Sequence, residues 1–316
     1  MAGHSQWPAN TLIFAMLIVN YHNILREPPN AFNRRVRKEW DTQTEFERQI
    51  LALRARFKIA PLAAIVDAIR TEKAIPNVCA ITFDDGNLGA HKYGLPVLTK
   101  YHVPAAFFII TQKVREADKY APYYFDRLEA MLQLTPKNSL DLSDFGYGVV
   151  SLAGDEHKIE FYKKFRRQIK ITASSEKAQI DESIDRQLGV SEERIARFLQ
   201  AEAYQMMSWE EIGDLLKKGH EIGSHTRTHP SLSQIDAAQL EFEIGGSFDD
   251  LKARLGLQEI PFAYPFGKPK HFSDAAVEMV RRSGYTCGLT MKAGENVPEI
   301  NLFRLRRMSF GLAVNV

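Results

Sequence analysis

Apolar runs of strand length alternate along this chain with segments of helical periodicity, and that alternation restricts the possible fold more than any other feature. Runs lie at 11–19, 78–83, 105–110, 221–223, 261–264 and 286–289, with a last strand expected over 302–310. Between them, apolar positions at helical spacing cover 44–55, 62–70, 94–101, 208–218, 235–255 and 273–283. Strands separated by helices pair in parallel, so a parallel sheet covered by helices is expected. Polar clusters at 84–86, 224–230 and 264–267 follow three of the strands. In a parallel barrel such strand ends share one mouth. Residues 112–207 break the rhythm. They read as a mainly helical insertion, a lid or groove wall, within a single domain spanning 1–316, and no strand-rich or glycine-rich stretch there looks catalytic.

Composition excludes some partners. The 41 basic and 39 acidic residues leave a formal charge of +2, too balanced to point to nucleic acid or an anionic membrane. The basic runs 34–38 and 163–167 read as solvated helix faces. Cys79 and Cys287 sit in apolar runs and are expected as buried free thiols, with no disulfide framework. The run at 11–19 lacks a basic flank and a cleavage site and is too short to span a membrane. It is taken as a first buried strand. A cytoplasmic location follows as the default, extracytoplasmic if the chain is truncated at its start.

Asp84 and Asp85 are adjacent carboxylates at a strand end. They would raise one another's pKa unless a cation received them, and a divalent metal is the simplest such cation. His225 and His229 stand four positions apart, a spacing that one turn of helix would place on a single face. The two carboxylates and the two imidazoles are therefore the candidate metal site. The competing readings are an N-cap and turn pair for the aspartates and purely structural histidines. His22 ends the first strand, either at the mouth or as a loop hydrogen-bonder. His220 and His271 are expected at the surface or in support, and Trp209 in core packing or as a sugar platform.

With 82–86 (TFDDG) and 225–230 (HTRTHP) in this order and separation, the sequence resembles the polysaccharide deacetylase family, carbohydrate esterase family 4. The resemblance covers about 12–310 and includes 20–22 (NYH) and 207–211 (MSWEE). It implies an α/β fold, a distorted (β/α) barrel of about seven parallel strands, and metal-dependent removal of N-acetyl groups from a carbohydrate. It also implies that Asp84 is the base, and that Asp85, His225 and His229 hold the metal. Zinc is the first expectation, with cobalt, nickel or manganese also accepted by nitrogen and oxygen ligands. Phe266 falls at the aromatic position of the third motif, whose backbone amide helps an oxyanion. Ala263 stands where that motif has arginine, and no leucine-any-histidine follows near the C-terminus to supply the acid. Arg307 is the proposed replacement charge and His22 the leading acid, since closing a barrel brings the last strand beside the first. A one-residue change of register would turn Arg306 inward instead. The alternatives are a non-catalytic carbohydrate-binding barrel that retains the metal, and a hydrolase of a non-sugar carbon–nitrogen bond.

Overall fold

The computed structural model describes residues 16–27, 30–116 and 122–313, so the beginning of the run at 11–19 lies outside the described residues. The first strand is Met16–Tyr21. Next to it, in chain order and in spatial order, come Val78–Phe83, Ala105–Ile109, Glu221–Ser224, Phe262–Ala263 and Gly288–Leu289, every pairing parallel. A seventh short strand, Lys58–Ile59, pairs with the start of Val78–Phe83. Helices Gln43–Arg56, Leu62–Arg70, Leu95–Lys100, Trp209–Lys217, Gly246–Leu255 and Asp274–Arg282 provide the crossovers. Two of these helices begin in reciprocal capping boxes, Thr42 with Glu45 and Ser208 with Glu211, which satisfy backbone N–H groups that a helix start leaves open.

Side chains along the strands divide with period two. Leu17, Val19, Cys79, Ile81, Phe83, Phe107 and Ile109 pack in the layer beneath the helices. Met16, Ile18, Val78, Ala80, Ala106, Phe108 and Ala263 fill the barrel interior. Continuing the inward parity places Asn20, Thr82 and Asp84 over that interior, and all three are buried. Cys79 and Cys287 are buried free thiols.

The last element departs from expectation. In place of a strand over 302–310 there is a short 3₁₀ turn, Leu302–Arg304, followed by two isolated parallel bridges, Leu289 to Leu305 and Val19 to Met308. Leu305 N–H donates to Gly288 O at 2.8 Å and Met308 N–H to Ile18 O at 3.1 Å. The segment crosses the gap diagonally, touching one edge strand at Leu305 and the other at Met308. That closes the distorted barrel without a ladder along either edge.

Between Ile109 and Trp209 lie helices Tyr124–Leu134, Asp155–Ile169, Ser174–Leu188 and Glu192–Leu199, packed on a core of their own. The insertion is mainly helical, as expected, and is interrupted by one antiparallel hairpin, Ser139–Leu142 with Gly148–Ser151. Neither basic run is simply a solvated face. Arg37 is buried and bridges Asp126 and Glu129, and Arg166 pairs with Glu39 at 3.0 Å. His220 and His271 are also buried rather than at the surface, and Trp209 packs against the main core. Among the described residues no helix is long and apolar enough to cross a membrane.

Candidate active site

Asp84 follows the second barrel strand and is 3% exposed. Arg307 donates to both of its oxygens, NH1 to Oδ1 at 2.7 Å and NH2 to Oδ2 at 2.9 Å, and Asn20 Nδ2 donates to Oδ2 at 3.0 Å. Arg307, rather than Arg306, is therefore the residue turned inward, and it is fully buried. Its Nε donates to Thr290 O at 3.1 Å and NH1 also reaches Asn20 Oδ1 at 3.0 Å, so the charge is paired on several sides. Burial alone would raise the Asp84 pKa; Arg307, with smaller help from His225 and His22, outweighs it and holds the carboxyl at about 2.

Asp85, His225 and His229 converge beside it, each offering one ligand atom, all within 4.8 Å of one another. Asp85 Oδ1 lies 3.6 Å from His225 Nε2 and 3.5 Å from His229 Nε2. His225 Nδ1 lies 2.7 Å from Ala263 O. A carbonyl only accepts, so Nδ1 carries the proton and Nε2 presents a lone pair toward Asp85. His229 Nδ1 is 3.3 Å from the Tyr123 hydroxyl, and burial, then His225 and the Lys170 ammonium, hold its imidazole well below the usual pKa. Two imidazole nitrogens and a carboxylate oxygen form a donor set that suits a divalent cation and leaves coordination positions open.

The helical reason for the four-residue spacing is wrong, because residues 225–230 form a loop. Thr226 (φ 68°) and His229 (φ 68°) are left-handed, as are Asp85 (φ 74°) and Phe266 (φ 59°). Non-glycine residues held this way cost about 1–3 kcal/mol each and persist only where their surroundings impose them. The surroundings here are specific. His229 N–H donates to Thr226 Oγ1 at 2.9 Å, Thr226 N–H to Ser224 Oγ at 3.1 Å and Thr228 N–H to Glu243 Oε2 at 2.8 Å. Glu243 belongs to a π turn, Glu241–Gly245, inside the helical stretch expected over 235–255. Gly223 is required by close approach: a Cβ there would come within 2.5 Å of the Phe108 ring and 2.6 Å of Pro261 O.

Asp84, Asp85, His225, His229 and Arg307 line a cavity of about 460 Å³, together with His22, Phe266, Tyr123, Asp126, Arg166 and Lys170. The Phe266 ring lies edge-on to His229 with centroids 4.6 Å apart. Asn20, Tyr123 and Lys170 were not singled out as site residues in sequence. Asn20 could have been found from the inward parity that it shares with Asp84, whereas Tyr123 and Lys170 arrive from the insertion and carry no local signal.

Residues 71–288 match the sequence profile of the family described as Polysaccharide deacetylase. No curated protein matches the chain. Among solved structures, a Streptococcus pyogenes deacetylase, PplD, in complex with acetate has a TM-score of 0.59 at 16% identity, covering 93% of this chain and 92% of its own. IcaB from Ammonifex degensii gives 0.57 at 17% identity, covering 95% of each chain. A de-N-acetylase from Aggregatibacter actinomycetemcomitans gives 0.53 at 12%, covering 93% of this chain and 94% of its own. At these identities the likeness is one of fold.

Proposed function

Since that profile spans more than half of the chain, the protein belongs to the polysaccharide deacetylase family, and we propose that it is a metal-dependent hydrolase removing N-acetyl groups from a carbohydrate. The observation that carries this reading is the meeting, in one cavity, of the Asp85–His225–His229 cluster with a separate carboxylate, Asp84, held by Arg307.

A divalent cation, zinc first and cobalt, nickel or manganese as alternatives, would be held by Asp85, His225 and His229, and would polarise the acetyl carbonyl and acidify a water. Asp84 takes the proton from the attacking water. Arg307 keeps Asp84 ionised and fixes both of its oxygens, standing in for the arginine that Ala263 replaces. The Phe266 backbone amide is assigned to the oxyanion, a contribution that needs no hydroxyl. His22, lining the same cavity, is assigned to protonate the departing amine. Acetate release from N-acetylated oligosaccharides, with metal removed and restored, tests the reading. Metal-dependent release is expected. Metal binding without acetate release from any N-acetylated glycan would favour a carbohydrate-binding barrel instead. For the ligand set, His229→Ala should lose metal and activity together; full metal occupancy in that variant refutes it.

A further inference from the structure

A second groove, of about 540 Å³, opens beside the catalytic cavity, and the two share Glu39, Arg166, Lys170, Phe266 and Lys268 as a common wall. Its charge is one-sided. Three segments remote in sequence deliver cations to it. Lys163, Arg166, Arg167 and Lys170 come from the helix Asp155–Ile169 and its C-cap, Lys268 and Lys270 from the turn after Phe266, and Arg35 and Lys38 from the segment after the first strand. The four helical positions stand at i, i+3, i+4 and i+7, which is one stripe of a helix. Eight cationic side chains face a single carboxylate, Glu39, in a chain whose totals nearly balance, so composition does not account for the excess.

The acid that is present is already used. Arg166 pairs with Glu39 at 3.0 Å, and although burial opposes it, Arg166 and Arg37 hold the carboxyl at about 2. Arg35 is paired with Glu156. Among the described residues, Lys163, Arg167, Lys170, Lys268 and Lys270 make no ion pair. Lys170 stands where the two spaces meet, its ammonium 4.0 Å from the centre of the Phe266 ring. Burial, and then the adjacent Arg166, lower that ammonium to about 7.

We propose that this groove binds an anionic part of the substrate, so that the glycan being deacetylated carries carboxylate or phosphodiester groups close to its acetamido sugar. The inference rests on the deacetylase reading, which puts the acetamido group in the adjoining cavity. Lys and Arg supply the donors that either anion requires. A glycan is favoured over nucleic acid because only a ligand that also reaches the carboxylate–imidazole cluster uses both spaces, and the net charge of +2 offers no general polyanion surface.

The test is equilibrium binding, then turnover, at about 150 mM salt. Three oligosaccharides of equal length serve as probes: a neutral N-acetylglucosamine oligomer, an alternating N-acetylglucosamine–glucuronate oligomer and a phosphodiester-linked N-acetylhexosamine oligomer. One anionic probe is expected to bind on the order of tenfold tighter than the neutral one, with the advantage shrinking as salt rises. Which anionic probe wins separates carboxylate from phosphate. The double substitution Lys163→Gln with Arg167→Gln, checked for an unchanged melting temperature, should remove most of the advantage, and kcat/KM ratios should follow the binding ratios. Equal or tighter binding of the neutral probe overturns the inference, as does an anionic preference that survives the double substitution. Preference for duplex DNA or anionic vesicles over all three probes overturns it in favour of those partners. Anionic preference without acetate release from any probe sinks the deacetylase reading and leaves the groove's charge selectivity standing.

Discussion

As the proposed base, Asp84 would have to accept a proton while Arg307 grips both of its oxygens, and that tension makes it the most informative residue to change. Asp84→Asn keeps the shape but cannot act as a base, so it should retain the metal and lose about 10²–10⁴-fold in acetate release. Near-normal turnover excludes Asp84 as the base. The variant also leaves the buried Arg307 unpaired, which costs about 3–5 kcal/mol, so turnover is to be compared at a temperature where it remains folded. The wild-type pair has a pH signature. The Asp84 carboxyl is depressed from 3.8 to about 2, so its contribution is complete above about pH 4 and disappears as the pH falls toward 2. Acid unfolding followed by circular dichroism should show that loss in the wild type and not in Asp84→Asn. His22→Ala should change the alkaline limb of the pH–rate profile if His22 is the acid; an unaltered limb removes it from that role. The sequence identifies Asp84, Asp85, His225 and His229 by type and order. It does not disclose what brings them together, because left-handed conformations at Asp85, Thr226 and His229 are imposed by tertiary contacts and leave no periodic trace.

Among the elements, the helix Tyr124–Leu134 couples the insertion to the site. It carries Asp126 and Glu129, both bound to Arg37, and Tyr123 at its N-cap reaches His229. One guanidinium serves two buried carboxylates, so burial wins at Asp126 despite its ion pair. With Arg37 lowering and Glu129 raising, its pKa comes to about 7. A carboxyl raised above its unfolded value holds its proton more tightly when folded, so stability is lost as the pH rises from about 4 to about 7. Among the described residues Arg37 is the cation that bonds to both acids, and Arg37→Met should cost about 3–5 kcal/mol. The loss should be greater at pH 8 than at pH 5.5, where Asp126 can take a proton. Urea midpoints at the two pH values check this; equal losses would show that Asp126 is already neutral throughout. Arg37 and Arg166 mislead in sequence because each sits in a basic run, whereas their acids, Asp126, Glu129 and Glu39, are identifiable only once the chain has folded. The barrel strands are legible because they are buried on both faces and read as continuous apolar runs. The hairpin is not, since Ser139–Leu142 alternates over only four residues.

At the scale of the whole molecule, the barrel is completed by a segment that is not a strand, and Arg307 lies in that segment. The sequence suggests a strand because Leu302, Leu305 and Met308 are apolar, but only Leu305 and Met308 bridge to the sheet. Asn296 supplies what a ladder would have supplied. It is fully buried; its Oδ1 accepts from Arg306 N–H at 2.8 Å, and its Nδ2 donates to Arg306 O at 3.0 Å and to Met16 O at 3.2 Å. One side chain thereby fixes the residue before Arg307 to the start of the first strand. Asn296→Ala leaves these backbone groups without that partner, at a cost of about 1–3 kcal/mol. It should speed amide exchange at Arg306 and Met308 and lower turnover while metal occupancy stays the same, because the proposed ligands Asp85, His225 and His229 lie at other strand ends. Asn296→Asp keeps the acceptor for Arg306 N–H but sets a buried carboxylate oxygen against two carbonyl oxygens, so it should cost at least as much as Asn296→Ala. If Asn296→Ala keeps both its amide protection and its turnover, the bonds at Leu305 and Met308 are sufficient to hold Arg307 against Asp84, and Asn296 only fills space.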